Sequence, residues 1–570
     1  MTNQDRRVNL VSLAARPAAC GARQKTTPTQ TDFYVQDEVL AQLREDVMER
    51  RVERGVRWLE ENRTMLRRIN PEHRNTAPLL GCICQWVSVS DPAVEAARAL
   101  LTSVPRPTRG QLSFDGYMHV RLAEGILNLV DGNAETAAAH FDFIISVEGE
   151  PLNQELPALA HFWRAQAECK RGNWDSALAH ASRAREITLA IGYPNSAAMM
   201  QALEGSLHMH KGRLSRAVEL LREADGVLQQ TDDFMWLGNI QSAYGNVALE
   251  EGRYEMAVEH FRKAVGYYRA CNPRHTNLPE SLANLAHSQR LIAVGITRSI
   301  DTHAERRRRS AVCDSAGPSH PGTRQDVEQL RGEALSNLTD AIEVCGFLAD
   351  SRDLALARIE LGFLLVDCGH FDRAALAANE AFELSCKIED HGAMARARLL
   401  QSRIESAQYE EGIGDLPARH AQRAHDFAKD ALTYAMQTED RRLLASAYLC
   451  QGLIFCNDFF NNAESAGECC RQAGQFLSPG NRNQLWDEHQ TLAKRLARSG
   501  SIDSRLREWS QGLVGGKTFQ QMTEEFAELV IPSVWEREER NISRVVAKLS
   551  ISPKKVRRIL SRAGLKAVSD

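Results

Sequence analysis

The stretches EGILNLVDGNAETAAAHF (124–141), RAQAECKRGNWDSALAHA (164–181), EGSLHMHKGRLSRAVELL (204–221) and YGNVALEEGRYEMAVEHF (244–261) are four copies of one pattern. Gly132, Gly172, Gly212 and Gly252 fall 40 residues apart, and five residues after each comes an alanine: Ala137, Ala177, Ala217 and Ala257. Seven residues before each glycine stands another small residue, Gly125, Ala165, Gly205 or Gly245. One period earlier, Pro92 and Ala97 keep the same phase. Each copy reads as a helix, a short turn broken by glycine and a second helix, with small residues where the two helices cross closely. A fixed period of this length is the sequence signature of stacked helical hairpins.

The register resumes further on. In ELGFLLVDCGHFDRAALAANEAF (360–382), Gly362, Gly369 and Ala374 restore the pattern, and helical pairs follow over 391–437 and 441–477. Between the two runs, HAERRRRSAVCDSAGPSHPGTRQD (303–326) reads as a polar loop inserted in one repeat. Its arginines 306 to 309 fit a solvated, protease-sensitive loop better than a nucleic-acid contact. These units resemble tetratricopeptide repeats, whose usual period is shorter, about 34 residues. The resemblance implies a right-handed solenoid with a concave groove lined by the first helices, where a peptide or partner protein binds. Trp163, Trp174 and Trp236 are either anchors in that groove or core, and their helical spacing favours core.

Composition agrees with an all-α chain. At 570 residues it is too long for one compact core, aromatics are only 6%, and Ala, Leu, Glu and Arg dominate. The thirteen cysteines are an odd number scattered through helical stretches. Cys82-x-Cys84 and Cys469-Cys470 lack a second pair at zinc-type spacing, so they read as reduced cytoplasmic thiols with no metal site. No apolar run approaches the ~18 residues of a membrane span, and no membrane partner is expected. Residues 1–32 read as a disordered leader, because Arg16 and Pro17 interrupt its faint apolar run.

The other informative stretch is NISRVVAKLSISPKKVRRILSRAGL (541–565). Asn541 is a good N-cap for a helix through Val545, Val546 and Leu549, and Ser552 with Pro553 marks the start of a second. Val556, Ile559 and Leu560 give the second helix one apolar face, with Lys554, Lys555, Arg557, Arg558 and Arg562 around the rest and Gly564 placed to end it. Residues 537–566 hold ten Lys/Arg and two Glu, a +8 stretch in a chain of net charge −4, so the remaining residues sum to −12. Two capped helices across a short turn, basic on the second, read as a helix-turn-helix suited to phosphate.

This segment resembles the Fis-type DNA-binding domain, found in the nucleoid protein Fis and at the C-terminus of many bacterial enhancer-binding activators. Asn541, Leu549, Ile551, the basic run Lys554–Arg562 and Gly564-Leu565 carry the match. The chain departs from the family at Arg540 and Ser550, each in place of a glycine, at Val545-Val546 in place of Ala-Ala, and at Ala563 in place of an aromatic. Ser in a left-handed turn is strained by ~1 kcal/mol relative to Gly. The resemblance implies double-stranded DNA as a partner, with Asn541 and Arg562 on phosphates. Ser552, Lys555, Arg557 and Arg558 would lie nearest base edges or flanking phosphates, and Lys554 joins them as a DNA-binding candidate. Such domains usually dimerise through the preceding helices. Phe519, Met522, Phe526, Leu529, Val530 and Val534 recur at helical spacing there, either pairing two copies or packing on the domain's own helices, and Pro532 is expected to kink or divide that helix.

Signs of catalysis are lacking. GLVGGKT (512–518) imitates a phosphate loop, but GxxxxGK[ST] requires glycine where Gln511 stands and no buried strand precedes it, so it reads as a joint. His208 and His210 point to different faces of one helix, neither HExxH nor GxSxG occurs, and no cofactor is implied. The expected plan is a leader (1–32), a tetratricopeptide-like solenoid with a period of about 40 (33–480), a terminal helix and linker (481–516) and a Fis-type helix-turn-helix domain (517–570). The sequence points to a non-enzymatic cytoplasmic regulator of transcription, associated with the nucleoid, whose solenoid binds a peptide or protein. A repeat scaffold without a DNA role and a nucleoid-associated DNA-binding protein are the alternatives.

Overall fold

The computed structural model describes residues 33–104, 106–147, 154–309, 323–348, 351–413, 416–438, 440–477, 483–499, 516–538, 540–562 and 565. The leader, the 310–322 part of the inserted loop, the 500–515 part of the linker and Gly564 lie outside the described residues. The chain divides into two compact units, Met1–Ala197 and Ala198–Asp570.

Among the described residues the architecture is all helical, apart from one isolated bridge between Phe33 and Ile69. The helices of the first unit are α1 (Asp37–Met48), α2 (Val52–Leu66), α3 (Thr76–Cys84), α4 (Asp91–Ser103), α5 (Phe114–Val130), α6 (Ala134–Ser146), α7 (Glu155–Arg171) and α8 (Trp174–Ala190). Helix α9 (Pro194–His210) spans the division. The second unit continues with α10 (Leu214–Leu228), α11 (Phe234–Glu250), α12 (Tyr254–Cys271), α13 (Leu278–Arg309), α14 (Arg324–Leu348), α15 (Ser351–Asp367) and α16 (Phe371–Lys387). Then come α17 (His391–Glu410), α18 (Pro417–Ala435), α19 (Arg441–Phe455), α20 (Ala463–Phe476) and α21 (Gln484–Ser499). Three further helices follow: α22 (Phe519–Arg537), α23 (Ile542–Leu549) and α24 (Pro553–Arg562).

The period has a single physical cause. Gly132, Gly172, Gly212, Gly252 and Gly369 all sit at positive φ, between +71° and +84°, where a side chain would be strained. The residue after each donates its N–H to a carbonyl five residues back: Asn133 to Asn128, Asn173 to Glu168, Arg213 to His208, Arg253 to Ala248 and His370 to Leu365, at 2.8–3.0 Å. This closure satisfies the last carbonyls of the first helix and turns the chain into the second. The alanines five residues on, Ala137, Ala177, Ala217, Ala257 and Ala374, are fully buried where the helices cross.

The earlier glycines of the register are contact surfaces. A Cβ on Gly125 would lie 2.4 Å from the Phe141 ring, one on Gly245 2.7 Å from Phe261, and one on Gly205 2.8 Å from Leu221. Trp163 and Trp236 are buried, and Trp163 donates Nε1–H to Gln85 Oε1 at 2.9 Å, so both belong to the core; Trp174 is half-buried at the start of α8.

The structure corrects two expectations. Helix α13 runs through to Arg309 and α14 begins at Arg324, so both ends of the predicted 303–326 loop are helical. Pro532 does not divide its helix: α22 is continuous from Phe519 to Arg537. Proline removes one backbone bond, but Ile531 and Trp535 on either side of it are buried against Val545, Val556, Ile559 and Leu560, and that burial outweighs the loss.

Candidate nucleic-acid interface and repeat groove

Helices α22, α23 and α24 share one small apolar core, and each has a marked start. Thr518 and Gln521 form a reciprocal capping box on α22, Asn541 Oδ1 accepts the Arg544 N–H at 3.1 Å, and Ser552 Oγ accepts the Lys555 N–H at 3.3 Å. Lys517 pairs with Glu525 at 2.8 Å, so the GKT of the phosphate-loop look-alike serves as the entry to α22.

The turn between α23 and α24 is Ser550, Ile551 and Ser552, and Ser550 adopts the left-handed conformation (φ 50°, ψ 42°). Arg540 is also left-handed (φ 64°), with its N–H donated to Trp535 O at 2.9 Å. Both conformations are ones that glycine adopts without strain. The backbone therefore keeps the turns that glycine would favour, with strained residues in place.

On α24, Val556, Ile559 and Leu560 are buried, which points Lys554, Arg557, Arg558 and Ser561 outward. Lys554 and Arg557 are exposed and make no ion pair among the described residues. The cations on the flank nearer α22 are engaged. Arg558 Nη2 lies 2.7 Å from both carboxylate oxygens of Glu524, Arg562 Nη1 is 3.1 Å from Glu528, and Lys555 Nζ is 3.9 Å from Glu524. Lys548 on α23 pairs with Glu538. Of the seven sequence candidates, two cap helices (Asn541, Ser552), three face α22's carboxylates (Lys555, Arg558, Arg562) and two stand open (Lys554, Arg557).

The sequence reading missed Glu524 and Glu528. Their i, i+4 spacing places them on one face of α22, and cations at i, i+3 and i+7 of α24 match them. Only the packing of the two helices reveals the match. The apolar stripe of α22 splits: Val534 packs toward the core, whereas Phe519 is 82% and Phe526 48% exposed.

The second unit carries a polar seam along its first helices. Met235, Asn239, Ser242, Asn246 and Glu250 form one half-buried stripe on α11. Asn239 Oδ1 accepts from Tyr268 Oη–H at 2.7 Å and from Asn277 Nδ2–H at 2.8 Å, and Ser281 reaches Ser242 at 3.5 Å. On α13 and α15, His287 meets Glu360 at 2.8 Å, and Arg290 meets Asp367 at 2.9 Å beneath the Phe363 ring. Burial alone would push the Glu360 carboxyl up, but His287, and Arg290 after it, hold it down at about 2. Burial works against the Arg290 charge, and Asp367 followed by Glu360 more than restores it.

Glu250, at the end of α11, pairs with Arg442 of α19, and its backbone carbonyl accepts Nδ2–H of Asn483 at 3.2 Å. Desolvation dominates its titration and raises its pKa, against the pull of Arg442. The sequence reading did not single out these carboxylates; Glu360 opens the apolar run ELGFLLVD, which is the signal that was available.

Among the described residues no cluster of His, Cys, Asp and Glu is arranged to hold a metal ion, and no helix is long and apolar enough to cross a membrane. No family model and no curated relative matches the chain. Among solved structures, it is similar to the apo form of the quorum sensor NprR from B. thuringiensis, at 12% identity and a TM-score of 0.45, over 70% of this chain and 97% of that one. It is also similar to a Rap protein complexed with competence and sporulation factor, at 14% identity and a TM-score of 0.43, over 75% of this chain and 99% of that one. A third neighbour is a human IFIT1 dimer with m7Gppp-AAAA, at 13% identity and a TM-score of 0.42, over 78% of this chain and 91% of that one.

Proposed function

We propose that the chain is a DNA-binding transcriptional regulator with a Fis-type C-terminal domain, and that its repeat array binds a regulatory peptide or protein. One observation carries the DNA reading: α24, capped and set across a left-handed turn from α23, exposes Lys554, Arg557 and Arg558 on the side opposite its buried face. The polar seam of Asn239, Asn277, His287 and Glu360 supports the groove reading, because it offers donors and acceptors on helices that otherwise pack through apolar residues. The exposed Phe519 and Phe526 are where a second copy would pair, giving half-sites about one DNA turn apart. The reading implies no catalysis and a cytoplasmic, nucleoid-associated protein.

The deciding experiment is binding of the full chain to a pool of duplex DNA across a salt series, beside the Lys554→Ala, Arg557→Ala, Arg558→Ala triple variant. A log–log salt slope that becomes shallower by about 2 to 3 in the variant, with one sequence enriched from the pool, is the expected result. A slope indifferent to the three substitutions refutes it. The second reading, a protein scaffold without a DNA role, draws on the ion pairs between α22 and α24, which neutralise part of the basic face within the domain itself. Binding without sequence enrichment would instead make the protein a general nucleoid component.

A further inference from the structure

Glu524 stands in an unusual position for a surface carboxylate. Both its carboxylate oxygens lie 2.7 Å from the one nitrogen Arg558 Nη2, and Lys555 and Arg562 are each 3.9 Å away, so one acid faces three cations of α24. Glu528, one turn further along α22, takes Arg562 at 3.1 Å. All five side chains are at least about a third exposed, and exposed pairs of this kind contribute little to folding. Their electrostatic consequence lies at the surface, where they place negative charge beside the cations that would meet a phosphate backbone.

We infer that Glu524 and Glu528 are specificity-determining residues that compete with DNA phosphate for Arg558, Arg562 and Lys555; this deepens the DNA reading above and rests on it. A phosphate approaching Arg558 must displace a carboxylate whose two oxygens already share Nη2, or lie against it. A random duplex binds through its phosphates alone and meets this repulsion at every contact, whereas in a correct site part of the binding comes from neutral base edges, which the carboxylates do not repel. Glu524 and Glu528 therefore weaken non-specific binding more than specific binding. Lys554 and Arg557, on the far flank, are outside this competition and supply the first attraction.

The test uses the full chain, with Glu524→Gln/Glu528→Gln beside wild type and a Glu525→Gln control, whose glutamate pairs with Lys517 instead. Gln preserves side-chain shape and helix propensity, and circular dichroism checks the fold. Affinities for a selected site and for random duplex are measured from 50 to 200 mM salt. The double variant should bind random duplex more tightly, with a slope steeper by about 2 for the two negative charges removed, so its advantage over wild type should be about tenfold larger at 50 mM than at 200 mM salt. Its ratio of site to random affinity should fall, and the control should match wild type. Unchanged affinity, slope and ratio in the double variant, with wild type binding DNA, would overturn the inference and leave the DNA reading standing. Weaker binding by the variant would overturn it too, assigning Glu524 to the positioning of Arg558. No DNA binding by any form, at any salt, would remove the DNA reading and this inference together.

Discussion

Replacing Gly245 on α11 with alanine tests the close crossing of α11 and α12 within one repeat. The new Cβ would lie 2.7 Å from two ring atoms of Phe261 and 2.9 Å from a third, where ordinary contact begins at 3.4 Å. Phe261 is fully buried in the cluster of Ala248, Leu249, Ala257, Val258, Leu285 and Leu291, so its ring has nowhere to retreat. Overpacking of this kind costs about 1–3 kcal/mol, against a gain of about 1 kcal/mol because alanine favours helix over glycine. A net loss of up to about 2 kcal/mol is expected. The control is Gly266→Ala on α12, where nothing lies within 4 Å of the added carbon, and it should gain about 1 kcal/mol. Urea unfolding of both variants, followed by far-ultraviolet circular dichroism, gives the two signs, and Phe261→Leu in the Gly245→Ala background should recover part of the loss. Stabilisation by both alanines would refute the close-crossing account, since it would mean that the glycine is tolerated and not required.

Further outcomes follow from the geometry. Ser550→Gly should raise the stability of the three-helix unit by about 1 kcal/mol, read as a higher denaturation midpoint of the tryptophan signal from Trp535; the same change at Arg540 should gain less, because Arg540 also pairs with Glu536 and lies 5.5 Å over the Trp535 ring. Asp367→Asn leaves the buried Arg290 without its nearest carboxylate and should cost about 3 kcal/mol in urea unfolding, whereas loss of the exposed Arg63–Glu95 pair should cost well under 1 kcal/mol. In the first unit, burial holds His119 down at about 4 and also lowers His140 and His180. Because the unfolded chain binds these protons more readily, stability is fully present above about pH 6.5 and falls as pH drops toward 4. Thermal unfolding from pH 7.5 to 4.5 should show this decline, and His119→Phe should flatten it.

Much of the array was legible because its punctuation is local. A glycine at positive φ and an alanine at a helix crossing act within one hairpin, so Gly132, Gly172, Gly212 and Gly252 carry their reason in their own neighbourhood. The caps at Asn541 and Ser552 were legible for the same reason. What could not be read depends on which helix faces which. Nothing in the order of residues says that Glu524 meets Arg558, or that Glu250 meets Arg442, since each pair forms only after the intervening helices pack. Pro532 misled because its local cost is real, while the compensating burial of Ile531 and Trp535 comes from helices that follow it.

The contact of Glu250 with Arg442 and Asn483 changes how the second unit should respond to trimming. A stack of hairpins that touch only their neighbours melts from its ends, each unit fraying with modest effect on those far away. Here a hydrogen bond joins residues 233 positions apart, linking the end of α11 to the approach of α21. Amide exchange in the last turn of α11 should therefore report on the integrity of α19 and α21, and a double-mutant cycle between positions 250 and 442 should return a coupling energy that a purely nearest-neighbour chain would lack. The second unit thus responds less like beads added one by one, because opening this one contact is felt on both sides of it.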